Sequence, residues 1–304
     1  MLRTNENKLV ELSVQGKPSN PLTRGMMVAD HEGKPFALPG TGGITYNIKI
    51  GDPVFGWAGD HVEPCVTTVA DEKERMAPLN AGYNFYSCVG NDALIVSGDA
   101  KGKRGVVTGI HGGAEHVLID FPDVALEKMT LDDKILIRSK GQGLEFLDYP
   151  DIKIYNLDPR LLRKMKIRED RKKGTIHVPV THKVPGELMG SGIGSIRPGM
   201  GDYDIMTQDP DWVSKHNLGT LRFGDIVGVM DQDNTYGRTW LSGAVTIGVI
   251  VHSDCRFSGH GPGVVSLITC KTSNIIPVID PNANIGQYLK IGRFRPLRKG
   301  IKRK

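Results

Sequence analysis

Gly105-Val106-Val107-Thr108-Gly109-Ile110-His111-Gly112-Gly113-Ala114-Glu115-His116-Val117-Leu118-Ile119-Asp120 reads as a strand, a glycine turn and a second strand. β-Branched residues fill both arms, and the pair of glycines between them lets the chain reverse. The same style recurs outward from this stretch, in Lys8 to Val14, Ile44 to Ile50, Ala93 to Val96, Lys134 to Ile137, Thr175 to Val180, Ile226 to Met230, Ala244 to Val251 and Val264 to Cys270. Gly (38) and Pro (18) punctuate the 304 residues into short apolar segments rather than long amphipathic helices. One good helical segment stands out, Asp158 to Arg171, where Asp158 can cap and Pro159 suits the first turn.

The expected fold is therefore α+β and β-rich, with barrel- or sandwich-like sheets in two closely packed halves and few helices. A composition shift near residue 150 divides the chain into an N-terminal β-rich domain (1–150), a C-terminal α+β domain (151–289) and a basic tail (290–304). A turn residue followed by Asp and a strand appears three times, at Gly51-Asp52, Asp132-Asp133 and Gly224-Asp225. These acids are expected to bond the backbone N–H groups of their own turns.

Hydrophobic residues at 39% and charged residues at 24% fit a globular protein rather than a disordered one. The most apolar run, Ala244 to Val251, is far shorter than the roughly 20 residues of a membrane-spanning helix. Asn5, Glu6, Asn7 and Lys8 interrupt any signal-like start, which gives a cytoplasmic expectation. Cys65, Cys88, Cys255 and Cys270 lack the paired spacing of structural zinc and read as small buried hydrophobes. The net charge of +5 comes from the tail, where Lys290 to Lys304 holds eight Lys or Arg and no acid. Such a tail could contact RNA phosphates, but no aromatic platform beyond Phe294 accompanies it, which disfavours nucleic acid as a partner.

The strongest chemical cluster is the segment His252 to Gly263. Alternation along Val245, Ile247, Val249 and Val251 would project His252 and Asp254 together, and the glycines beyond could fold His260 into the same concavity. Two imidazoles and a carboxylate can hold a divalent ion such as zinc with one position left for water. The same letters also describe a His–Asp hydrogen bond that satisfies a buried loop. His111, Glu115 and His116 form a second candidate set at the hairpin corner, and Asp231 and Asp233 could hold a hard cation, the other reading being a turn formed through Asp231 and Asn234. Gly190, Ser191, Gly192, Gly194 and Ser195, with Glu187 and Arg197 nearby, suggest a backbone nest for an anionic part of a small-molecule ligand.

Gly109 to Gly113 with His116 to Pro122, Met189 to Ser195, and His252 to Gly263 resemble a prokaryotic domain-of-unknown-function family known from structural genomics, over most of residues 1–289. That likeness brings no assigned catalytic residue. The turn aspartates and the His111-Gly112-Gly113 corner are more distantly similar to acetamidase/formamidase-type hydrolases, which implies a metal-dependent amide hydrolase. The functional expectation is thus a self-associating, metal-assisted hydrolase of a small amide or related polar substrate. The alternatives are a noncatalytic small-ligand or interaction protein, and RNA contact through the tail.

Overall fold

The computed structural model describes residues 2–23, 27–70, 74 and 76–296. Six antiparallel strands close into a barrel in the order Leu12–Pro18, Val66–Val69, His116–Asp120, Arg104–His111, Asp92–Ile95 and Ile135–Ser139, the last pairing back to the first. Closure removes the exposed strand edges that an open sheet of this size would carry. Val107, Val117, Ile119, Ile135 and Ile137 fill its interior with Phe121 and Leu126.

Beyond residue 150 a mixed sheet runs His182–Val184, Ile226–Asp233, Thr239–Ile250, Gly263–Cys270 and Tyr203–Asp204, with Lys153–Ile154 also pairing the fourth of these strands. A three-stranded sheet of Arg168–Asp170, Thr175–Val180 and Ile275–Ile279 accompanies it. Among the described residues helices are few and short, the longest being Pro78–Tyr86. The chain is a β-rich α+β protein. Among the described residues no helix is long and apolar enough to cross a membrane.

The halves share a core. Ile48, Ile50, Val89, Ile110 and Leu118 from the first pack in one cluster with Ile226, Val249, Val251 and Leu267 from the second. Contact is closest at Gly109, where an added Cβ would stand 2.2 Å from Val251 Cγ1. Glycine is needed here because any side chain would lever the barrel off the second half.

The three turn aspartates behave alike. Asp52, Asp133 and Asp225 each accept, at 2.9 Å, the backbone N–H three residues earlier, from Lys49, Thr130 and Arg222. Two sequence expectations need correction. Ile44 to Ile50 is no strand, since Ile44 makes only an isolated bridge to Val66 and Lys49–Asp52 is a turn. Ile48 and Ile50 are apolar because they plug the shared core. The expected helix stops at Lys164: Asp158 caps it through the Arg160 N–H, Lys166 adopts φ 57°, and Arg168–Asp170 pairs with Thr175–His177. Propensity lost there to a tertiary partner strand.

The tail begins packed against the body. Arg293 donates to Asp52 at 2.6 and 2.8 Å, and Arg295 pairs with Asp120. Two of the cations available to RNA are therefore already neutralised; Arg298, Lys299, Lys302, Arg303 and Lys304 lie outside the described residues. Burial pushes the Asp120 carboxyl from 3.8 up to about 6 despite the opposing charge of Arg295. A carboxyl raised on folding disfavours the folded state above that pH and relieves the penalty as pH falls through it. The stability difference between Asp120→Asn and wild type should therefore change by about 2 kcal/mol between pH 8 and pH 4, in favour of wild type at the acid end. Denaturant melts of both proteins across that range test this, and a pH-independent difference would refute it.

Candidate metal centre at the junction of the two halves

Four histidines from three separate segments meet where the barrel touches the mixed sheet. His111 ends the strand Arg104–His111, His252 follows the strand Thr239–Ile250, His260 lies in the loop before Gly263, and His61 comes from a loop with φ 51°. The Gly109–Val251 contact holds the His111 and His252 ends together, with ring centroids 4.3 Å apart. His61 lies 5.0 Å from His252 and 5.4 Å from His260 by the same measure.

Each ring has its Nδ1 engaged by an oxygen. His61 Nδ1 is 2.9 Å from Asp60 Oδ2, His111 Nδ1 is 2.5 Å from Glu63 Oε1, His252 Nδ1 is 2.9 Å from the Ser253 carbonyl and His260 Nδ1 is 2.9 Å from the Ser258 carbonyl. An acceptor at Nδ1 fixes that nitrogen as the protonated one and turns Nε2 into the ligand, the arrangement metal-binding histidines need. Ligand atoms of His61, His111 and His252 all lie within 4.8 Å of one another; so do those of Asp202, Asp204 and His252, and those of His61, Asp204 and His260.

The carboxylates face the same space. His252 Nε2 is 2.9 Å from Asp202 Oδ2 and 3.4 Å from Asp204 Oδ1, and His61 Nε2 is 3.8 Å from Asp204 Oδ2. Asp202 Oδ1 accepts the Gly112 N–H at 2.7 Å, whereas its Oδ2, though within ion-pair distance of His252, is buried with no hydrogen bond of proper geometry. Burial disfavours charge on both members of this pair, yet their mutual attraction wins: Asp202 is held below the usual carboxylate range and His252 well above that of imidazole. Arg238, itself buried, donates to the carbonyls of Met200, Gly201 and Asp202 and so fixes the loop that carries the acid.

A cavity of about 300 Å³ opens onto this cluster, lined by His61, His111, Asp202, Asp204, Arg238 and His260 among others. It shares Arg197 and Met200 with a neighbouring cleft of about 630 Å³ that is faced by Phe85, Phe146 and Tyr155.

Of the residues expected from sequence, His252, His260 and His111 meet here. Asp254 does not. The chain leaves the sheet after Ile250, so strand alternation no longer governs it, and Asp254 takes a hydrogen bond from Thr207 Oγ1 at 2.5 Å instead. His116 bonds Glu63 behind His111, and Glu115 borders the cavity without joining a ligand group. Asp231 and Asp233 both lie in the strand Ile226–Asp233: the first sits at a register shift with φ 55° and accepts the Gly243 N–H of the neighbouring strand, and the second, at the strand's end, accepts from Thr235. The backbone nest is corrected as well. The N–H groups of Gly190, Ser191, Gly194 and Ser195 already donate to carbonyls, so they cannot cradle an anion, and Glu187 is exposed. Ser191, Gly192 and Ser195 line the cavity.

His61, Asp60, Glu63, Asp202 and Asp204 escaped the sequence reading. Asp202-Tyr203-Asp204 carried a usable signal, because acids two apart on an extended segment share a face. Asp60-His61-Val62-Glu63 sits in a loop with no periodicity to read.

Barrel, mixed sheet and junctional histidine–carboxylate cluster together define a two-part β-rich protein with a candidate metal centre between its parts. The chain belongs to the DUF4438 family: the model described as "Domain of unknown function (DUF4438), N-terminal" matches residues 27–163, and its C-terminal counterpart matches residues 164–289. The structure is similar to the crystal structure of TM1086, with 46% sequence identity, a TM-score of 0.88, and coverage of 94% of this chain and 99% of that one. Comparison with curated proteins finds no match. Neither family model is of the acetamidase or formamidase type.

Proposed function

We propose that the protein binds a divalent transition-metal ion at His61, His111 and His252, with Asp202 and Asp204 alongside, and uses it in hydrolysis of a small polar substrate such as an amide. One observation carries this reading: three imidazoles converge with every Nδ1 already committed to an acceptor. An imidazole-rich set with carboxylates suits zinc, cobalt or iron rather than magnesium or calcium. Asp202 Oδ2, buried and facing only His252 Nε2 at 2.9 Å, fits a cation, which would supply the charge that burial takes from water. Such an ion supplies a polarised carbonyl or an activated water, and the cavity volume limits the substrate to a small molecule. A second reading, an ion that only stabilises the junction, is favoured by the burial of the same three histidines, none more than 3% exposed.

Elemental analysis of purified protein should find transition metal, and His111→Ala and His252→Ala should each reduce it by 10-fold or more. Metal-free wild type that gains neither metal nor thermal stability in zinc would overturn the metal reading. Metal-loaded protein that gains stability but turns over no member of a panel of short-chain amides supports the stabilising role over the catalytic one.

A further inference from the structure

We infer that the cluster accommodates two divalent ions, bridged by Asp204; this rests on the metal reading above and adds to it a stoichiometry and a division of ligands. A hydrolytic zinc takes three protein ligands and a water. Eight side chains offer ligand atoms: His61, His111, His252, His260, Asp202 and Asp204, together with Asp60 and Cys255, which group with His61 alone among them. They do not form one coordination sphere. The groups Asp202–Asp204–His252 and His61–Asp204–His260 have Asp204 alone in common.

The two oxygens of Asp204 point to different partners. Oδ1 is 3.4 Å from His252 Nε2, and Oδ2 is 3.8 Å from His61 Nε2. A carboxylate with one oxygen toward each ligand set is what joins ions about 3.5–4 Å apart in two-metal sites. The inner ion takes His252 and Asp202, whose buried Oδ2 lies 2.9 Å from His252 Nε2 and makes no hydrogen bond of proper geometry. The outer ion takes His61 and the half-buried His260, on the solvent side. His111 groups with His61 and His252, one from each set, and with Nδ1 engaged by Glu63 its Nε2 would complete the sphere of a single ion. Both orienting shells are in place: Asp60 holds His61 and in turn accepts the Arg256 N–H at 2.8 Å, while Arg238 fixes the loop of Asp202.

The test is a titration of chelator-stripped full-length protein with Co²⁺, read by visible absorption and by metal analysis after desalting. Wild type should saturate at about two equivalents and His260→Ala at about one. His260 reaches the body through Nδ1 to its own loop, so its loss should leave the fold intact, as circular dichroism would verify. Asp204→Asn should weaken the second equivalent by 10-fold or more and uncouple the two. Saturation of wild type at one equivalent, unchanged in His260→Ala, would overturn the two-ion inference while leaving the metal reading standing. Two equivalents in both proteins would overturn the assignment of His260, and no uptake by wild type would remove the parent reading with it.

Discussion

Glu63→Ala should lower the melting temperature by roughly 5–10 °C and weaken metal binding at the same time. Glu63 is fully buried, and four donors converge on its carboxylate: His111 Nδ1 at 2.5 Å, His116 Nδ1 at 3.0 Å, the Gly42 N–H at 2.5 Å and Thr67 Oγ1 at 2.6 Å. Burial alone would raise its pKa. The charge of His116 and the hydrogen bonds of both histidines outweigh burial and hold Glu63 well below the usual carboxylate range. Truncation removes the acceptor and strands all four donors in the interior, which costs about 3–5 kcal/mol. It also frees the His111 ring to rotate, and loss of such an orienting partner weakens metal binding by about 10–100-fold. Glu63→Gln keeps the volume but sets an amide N–H₂ against one of the donors, so it should fall between. Thermal melts with and without zinc measure both effects. A variant that melts like wild type and retains its metal would show that the hydrogen bonds around Glu63 support neither the fold nor the site.

Many of the strands were legible because their signal is local. His116 to Asp120 in the barrel and Thr175 to Val180 in the three-stranded sheet are strands over the expected residues, since β-branched runs bounded by turns need no knowledge of their partners. The turn aspartates were legible for the same reason, each bonding within three residues. The site was legible only in part. His252 and His260 lie on one loop, and His111 could be suspected from its glycine corner, but their common point is set by contacts between residues far apart in sequence. Ser253 N–H donates to the Val62 carbonyl and the Ser253 hydroxyl accepts from the Val62 N–H, which seats the His61 loop on the His252 segment. Nothing in the letters around residue 61 announces a partner at residue 253. Asp254 was misplaced for the complementary reason: alternation was extended past the last residue of the strand, into backbone held by Val54 rather than by a neighbouring strand.

Gly263→Ala should disable the site without removing a single ligand. Gly263 begins the strand Gly263–Cys270, and a Cβ built on it would lie 2.1 Å from Asp202 Oδ2 and 2.3 Å from His252 Nε2. Both are far inside contact distance, so one group must move by more than 1 Å. Neither moves freely. Asp202 is tied to the Gly112 N–H and its loop to Arg238, and His252 is tied through Nδ1 to the Ser253 carbonyl. The added methyl therefore breaks the His252–Asp202 geometry, and metal affinity should fall by about 100-fold, the upper end of what displaced orienting groups cost. Gly82→Ala is the matched control. It lies in the helix Pro78–Tyr86, its Cβ would meet nothing within 4 Å, and alanine there should add up to about 1 kcal/mol of stability and leave metal binding alone. Competition with a chromogenic zinc chelator measures the affinities of both variants. Wild-type affinity in Gly263→Ala would place any bound ion away from His252 and Asp202, and with that the geometry argued for the centre would no longer stand.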